Sequence, residues 1–150
     1  MRLVVDTNVL VSGLLNPNGA PGRLVDAIVS GRLTMVVDDR ILDEYRRVLA
    51  RPAFGFDRRH VDALLAFVSA GGEHVTAPTS RIVLPDPTDL PFLEVAEHAS
   101  ADLLVTGNLR HFKPLDGVLH VKICTPALAV QRLPTPSWDR SRASGEGTSE

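Results

Sequence analysis

Apolar and polar positions along the chain follow two rhythms. The first is a set of short apolar, largely β-branched runs: Arg2–Val5, Leu33–Val37, Leu103–Thr106 and Val118–Ile123. Each is brief, nearly continuous and closed by polar or turn residues, the pattern of strands buried on both faces. The second rhythm is helical. Leu24, Val25, Ile28 and Val29 share a face in a segment that starts near Pro21 and stops at Gly31, and proline is tolerated in a first helical turn. Ile41, Leu42, Tyr45, Val48 and Leu49 form a stripe behind Asp38 or Asp39 as cap, ending before Pro52. Val61, Leu64, Leu65 and Val68 form another over residues 57–70, with Gly71-Gly72 as the stop. Thr88 or Asp89 is expected to cap a helix carrying Phe92, Leu93, Val95 and Ala96, and Thr125–Arg132 reads as a last short helix. His74–Thr76 and Ile82–Leu84 are short β-like pieces. Alternating strands and helices predict an α/β domain over residues 1–133, a parallel sheet covered by helices on both faces. From Pro134 the text turns to Pro, Ser, Arg, Gly, Thr and Glu, with Trp138 the one large apolar residue. Such a segment cannot bury enough surface to offset its ordering entropy, so residues 134–150 are expected to be a disordered tail.

Composition narrows the class. A chain of 150 residues with 44% hydrophobic content can bury one core. A net charge of −2 exerts no bulk pull on nucleic acid or anionic membrane, although a local basic rim around an acidic site would still serve a nucleic-acid enzyme. The lone Cys124 has no partner for an internal disulfide and no Cys or His neighbour at metal-ligand spacing, which fits a reducing compartment. No apolar run reaches membrane-spanning length, and Met1-Arg2 leads straight into the first strand. The expectation is a cytoplasmic protein with no membrane partner.

The chemistry gathers at the ends of these elements. The first strand closes on Asp6-Thr7-Asn8. These residue types also make turns and caps, but in open α/β sheets ligands bind just past the carboxyl ends of the strands. Leu103–Gly107 repeats the pattern and closes on Asn108, with Thr106 beside it. Glu44 falls on the edge of its helix's apolar stripe, about one turn from Ile41 and Val48, so it is either a solvated rim residue or an acid aimed into a cleft. Asp89 opens a helix, where a carboxylate caps and benefits from the dipole. Asp86 lies between two prolines, as a turn residue or an extra ligand. Several acids brought to strand and helix ends point to a site for a hard cation.

The residues Val4–Gly13, Glu44, Asp86–Ala96 and Ala101–Phe112, taken in that order and spacing over residues 1–130, resemble the PIN domain, in particular bacterial PIN proteins of the VapC type. The resemblance implies a Rossmann-like PIN fold and an endoribonuclease dependent on Mg²⁺ or Mn²⁺. It implies catalytic roles for Asp6, Glu44, Asp89 and Asn108, with Asp6, Glu44 and Asp89 as the core metal ligands. Many members carry an acid after the penultimate strand. This chain has Asn108 there and His111 three residues on, which leaves Asp86 as a replacement acid. Thr7, Asn8 and Thr106 are candidates to orient the acids; turn hydrogen bonding is their alternative role. Arg110, His111 and Lys113 follow Asn108 directly and would rim the cleft against RNA phosphates. The implied partners are an RNA substrate and a small antitoxin, the chain being the toxin of the pair, and a homodimer is a further expected assembly.

Two rival readings remain open at the level of sequence. One is a PIN-like module that binds RNA or protein without cutting. The other is a haloacid-dehalogenase-type phosphatase with a phosphorylated strand-end aspartate, whose second aspartate is here Asn8.

Overall fold

Leu3, Val4 and Val5 are wholly buried, and that places Arg2–Val5 (β1) at the centre of the sheet. The computed structural model describes residues 1–115 and 117–134. Four further strands complete the sheet: Thr34–Val37 (β2), Glu73–His74 (β3), Leu103–Val105 (β4) and Lys122–Cys124 (β5). Every pairing is parallel, in the order β3-β2-β1-β4-β5. Leu3 stands opposite Met35 on one side and Leu103 on the other. The chain builds outward from β1 to β3, then returns to lay β4 on the other flank of β1. At such a reversal the crossovers leave in opposite directions and open a crevice beyond the strand ends.

The helices are Thr7–Leu15 (α1), Ala20–Val29 (α2), Asp39–Leu49 (α3), Arg58–Gly71 (α4), Leu90–His98 (α5) and Pro126–Gln131 (α6). The expected cap Asp38 is in place, accepting from Ile41 N at 2.9 Å, and Thr125 caps α6 by accepting from Leu128 N. The stripe of α3 is buried throughout, and Gly31 takes the left-handed φ of 73° that ends α2's turn. Thus the α/β architecture is the one the hydrophobic pattern predicts. No helix among the described residues is long and apolar enough to cross a membrane.

Four details differ from the sequence expectation. Helix α1 is not among the elements the pattern predicts; its exposed face is Asn8, Ser12 and Leu15, and the exposed leucine at its end blurs the period against buried Val9, Leu10 and Val11. Residues 82–84 form no strand, since Val83 is exposed and only Leu84 reaches the core. The strand expected over Val118–Ile123 shrinks to β5, because β4 offers partners only opposite Lys122, Ile123 and Cys124. Asp86, rather than Thr88 or Asp89, caps the turn before α5 by accepting from Thr88 N and Oγ1. The expected tail from residue 135 on, Trp138 included, lies outside the described residues.

Helices α1 and α2 approach closely because glycine permits it. A methyl group on Gly22 would come within 2.1 Å of the Pro17 carbonyl oxygen, and one on Gly13 within 2.8 Å of that of Pro21. Glycine to alanine in a helix ordinarily gains up to about 1 kcal/mol. Here overlap with backbone outweighs that gain, since overpacking costs about 1–3 kcal/mol. Gly22→Ala is therefore expected to lower the melting temperature by about 3–9 °C in a thermal denaturation scan. An unchanged or higher value would show that the loop at Pro17, which joins α1 to α2, gives way freely.

Candidate active site

Asp6 is the residue immediately after β1, and it also opens α1. Its carboxylate does not cap that helix. It turns across the sheet to accept a 2.9 Å hydrogen bond from Thr106 Oγ1, just past the end of β4. Thr106 Oγ1 in turn accepts from Asn108 N, so the polar ends of the two central strands are tied together at the point where strand order reverses. Asp6 is 4% exposed and Thr106 not at all.

Glu44 reaches the same place from α3. Its neighbour Tyr45 is wholly buried and donates its phenolic hydrogen to the carbonyl of Val5, the last residue of β1. That bond holds α3 against the end of the central strand, and Phe92 of α5 packs on the tyrosine ring with centroids 6.2 Å apart. Asp89 arrives on the short turn Pro87–Asp89 that leads into α5 and is 5% exposed. It accepts from His111 Nδ1 at 2.7 Å.

Asp6, Glu44 and Asp89 all hold their protons above the ordinary carboxylate range. For Asp6 the chief cause is burial, opposed by the Thr106 hydrogen bond and reinforced by the charge of Asp89. For Glu44 it is again burial, opposed by Thr7 and reinforced by the charges of Asp6 and Asp89. For Asp89 burial leads, His111 opposes and Asp86 reinforces. Asp86 goes the other way, held down by its hydrogen bonds from Thr88. Asp6 therefore feels the charge of Asp89, and Glu44 the charges of both, an arrangement a divalent cation relieves. The donor set suits a hard ion, being carboxylate oxygen. Thr7 Oγ1 is buried and lacks a hydrogen-bond partner of ordinary geometry, yet it lies close enough to Glu44 to favour the charged form. An unsatisfied buried hydroxyl beside these acids is what a cation's bound water would satisfy.

The remaining sequence candidates spread outward. Asn8 and Asn108 are exposed, and together with Ser12, Gly107 and Thr125 they line a groove of about 450 Å³. Arg110 and Lys113 are exposed on the rim and flank a second groove with Phe112 and Ile123. His111 is drawn inward onto Asp89, and Asp86 lies close to both. Sequence reasoning missed the support behind the acids. Arg40 donates to Asp38 Oδ2 and to Glu94 Oε1, each at 2.8 Å, joining α3 to α5. Glu94 also accepts from Ser80 N and so ties in the preceding loop. Its signal was available: an acid inside the apolar face of α5, at a position that is 6% exposed, needs a cationic partner.

A reversed parallel sheet with carboxylates converging at the reversal defines an α/β protein with an acidic pocket at its strand ends. The family model of the PIN domain matches residues 2–110, and the chain belongs to the PIN domain family. An uncharacterized protein of Methanocaldococcus jannaschii is 31% identical over 140 residues, covering 91% of this chain and 87% of its own. The crystal structure of VapBC2 from Rickettsia felis bound to a DNA fragment from its promoter shares the fold. Its TM-score is 0.54 at 15% identity, over 83% of this chain and 98% of that one.

The shifted acids make a stability prediction. A carboxyl whose folded pKa lies above its unfolded value binds more protons when native. The repulsion is therefore absent below the unfolded pKa and grows as pH rises through the folded one. Asp6→Asn keeps an oxygen that accepts from Thr106 but removes a charge from the cluster. In chelator at neutral pH, its melting temperature should equal or exceed that of the unaltered chain, and the two should converge toward pH 3. A variant less stable than the parent at pH 7 would mean that the acids do not repel.

Proposed function

We propose that the chain is a divalent-cation-dependent endoribonuclease acting as the toxin of a toxin–antitoxin pair. PIN membership supports a metal-dependent nuclease, and likeness in fold to VapBC2 supports the pairing. The observation that carries the reading is the convergence of buried Asp6 and Asp89 with half-buried Glu44 at the reversal point of the sheet, where the charge of Asp89 bears on Asp6 and the charges of both bear on Glu44. Asp6, Glu44 and Asp89 would hold Mg²⁺ or Mn²⁺, with Asp86 at the edge. When bound, the ion supplies an activated water and neutralises charge on the phosphate and leaving oxygen.

The protein's own part is placement. Thr106 fixes one rotamer of Asp6, and Tyr45 fixes the helix that carries Glu44. Arg110 and Lys113, exposed on the rim, bind phosphates on either side of the cut. Asn108 and Asn8 line the groove beside Asp6 and offer amide donors and acceptors to an unstacked base or a sugar hydroxyl. The antitoxin would present an arginine to the acidic pocket, where its guanidinium pairs with carboxylates. A helix of that partner would lie in the cleft of about 450 Å³ between α3 and α4, which has Leu49, Val61 and Leu65 on its walls.

The test is incubation of the purified chain with a panel of RNAs, with Mg²⁺, with Mn²⁺ and with chelator. Cleavage should require the ion, and Asp6→Asn should reduce it by on the order of 100-fold or more, since such an ion stabilises the transition state by several kcal/mol. Binding of RNA with no ion-dependent cleavage would instead favour the non-catalytic module.

Asn108→Asp adds a hard ligand near the site. It should retain or raise the cleavage rate in the same assay. A collapse with folding and ion affinity intact would assign Asn108 a role that needs the amide itself.

A further inference from the structure

The groove beside Asp6 forms where α1, the start of α2, the turn after β4 and the start of α6 meet. Asn8, Ser12, Asn108 and Thr125 supply its polar groups, and Val9, Pro21 and Pro126 are among its apolar walls. None of the described residues lining it carries a charge. Its surroundings do: Asp6 stands two residues before Asn8, and Arg110 and Lys113 follow Asn108. A nucleotide is divided in the same way. Its phosphate is charged, whereas its base is flat and neutral, with apolar faces and an edge of donors and acceptors. A volume of about 450 Å³ accommodates a nucleoside and falls within the roughly 300–1,000 Å³ of small-ligand sites.

The groove is tied to the acids. Asn108 N donates to Thr106 Oγ1, which donates to Asp6 Oδ2 at 2.9 Å. The side chains of Asn8, Ser12 and Asn108 are exposed and open to a ligand. Thr125 Oγ1 accepts from Leu128 N, which leaves its own hydrogen to donate. Gly107 completes the lining. Its φ lies outside the left-handed region, and an added Cβ would meet no protein atom within 4 Å. Neither conformation nor packing calls for glycine there, and the open space in front of it belongs to the groove. Aromatic platforms stack every base and so discriminate little. This groove has no aromatic wall and offers hydrogen-bonding groups instead, the means by which a site rejects a ligand that lacks the matching partner.

We propose that this groove is a base-selecting subsite, which receives, unstacked, the base of the nucleotide adjoining the scissile phosphate and chooses it through Asn8, Ser12, Asn108 and Thr125. The ribonuclease reading above supplies the place of the cut; the binding of the base stands apart from it.

The first measurement needs no cleavage. The four ribonucleosides are titrated into the full chain in chelator, with amide resonances followed by NMR. At least one should shift the amides of Ser12, Gly107 and Ala127 saturably, the four should bind unequally, and Gly107→Val should abolish the shifts while its melting temperature stays within a few degrees of the parent's. Shifts confined to other parts of the chain, none at all, or equal affinity for the four overturn the subsite. The second measurement uses an RNA that the chain cuts and a series in which each base in turn is removed. Loss of one base next to the cut should lower kcat/KM on the order of tenfold or more, and losses elsewhere by no more than about twofold. In Gly107→Val the intact and abasic RNAs should be cut equally, since the variant has already lost what the base contributes. Undiminished sensitivity to that base in the variant overturns the subsite. Where Gly107→Val fails to fold, Ala127→Leu, at an exposed position of the same lining, decides by the same criteria. Nucleoside binding in the groove without cleavage of any RNA keeps the subsite and discards the nuclease; cleavage indifferent to every base does the reverse.

Discussion

The hydrogen bond from Tyr45 to the carbonyl of Val5 is the interaction on which the rest of the site depends. A buried phenol must find an acceptor, and the one it finds is at the end of the central strand. That choice sets both the height and the rotation of α3, because one face of the helix is fixed by Tyr45 and the stripe around it. Glu44 is the residue next to it, so the same bond decides how far the glutamate overhangs Asp6. Burial beside Asp6, Glu44 and Asp38 pushes the phenol's own proton affinity well up, which keeps the donor a donor at any ordinary pH.

Gathering acids in a desolvated crevice works against the fold, and the surrounding structure carries the opposing terms. Asp38, Arg40 and Glu94 bind α3 to α5. This network has a charge on every member, and its worth lies less in net stability than in fixing how the two helices meet, since breaking such a pair costs far more than forming it gains. The aromatic contact of Tyr45 with Phe92 does the same by shape. Between them, these contacts leave the two helices that bring Glu44 and Asp89 little freedom to spread apart under the repulsion they carry.

Much of this architecture can be read without coordinates, for a physical reason. Strands buried on both faces and helices with one apolar stripe leave their period in the text, so β1, β2, β4 and α2 to α6 are legible. Helix α1 is not, because its solvent face carries an exposed leucine, Leu15, beside Asn8 and Ser12, which blurs the stripe. The acids Asp6 and Asp89 are legible as polar residues where an apolar element ends. Their partners are a different matter. That His111 meets Asp89, that Arg40 meets Glu94, and that Asp86 takes over the cap all depend on distances between elements far apart in sequence, and periodicity carries no information about those. Glu44 stood between the two cases, since its position on the stripe's edge was visible but the cleft it overhangs was not.

The strand order also governs when the pocket comes into existence. The hydroxyl that orients Asp6 is made 100 residues after it, and β1 lacks a neighbour on one flank until β4 is made. Long-range parallel pairing forms slowly, because loop closure comes before any contact repays it. A nascent chain therefore carries Asp6 through those 100 residues with the pocket incomplete around it. The strand ends are tied together only when β4 arrives, so the acids are the last part of the sheet to gain their fixed geometry.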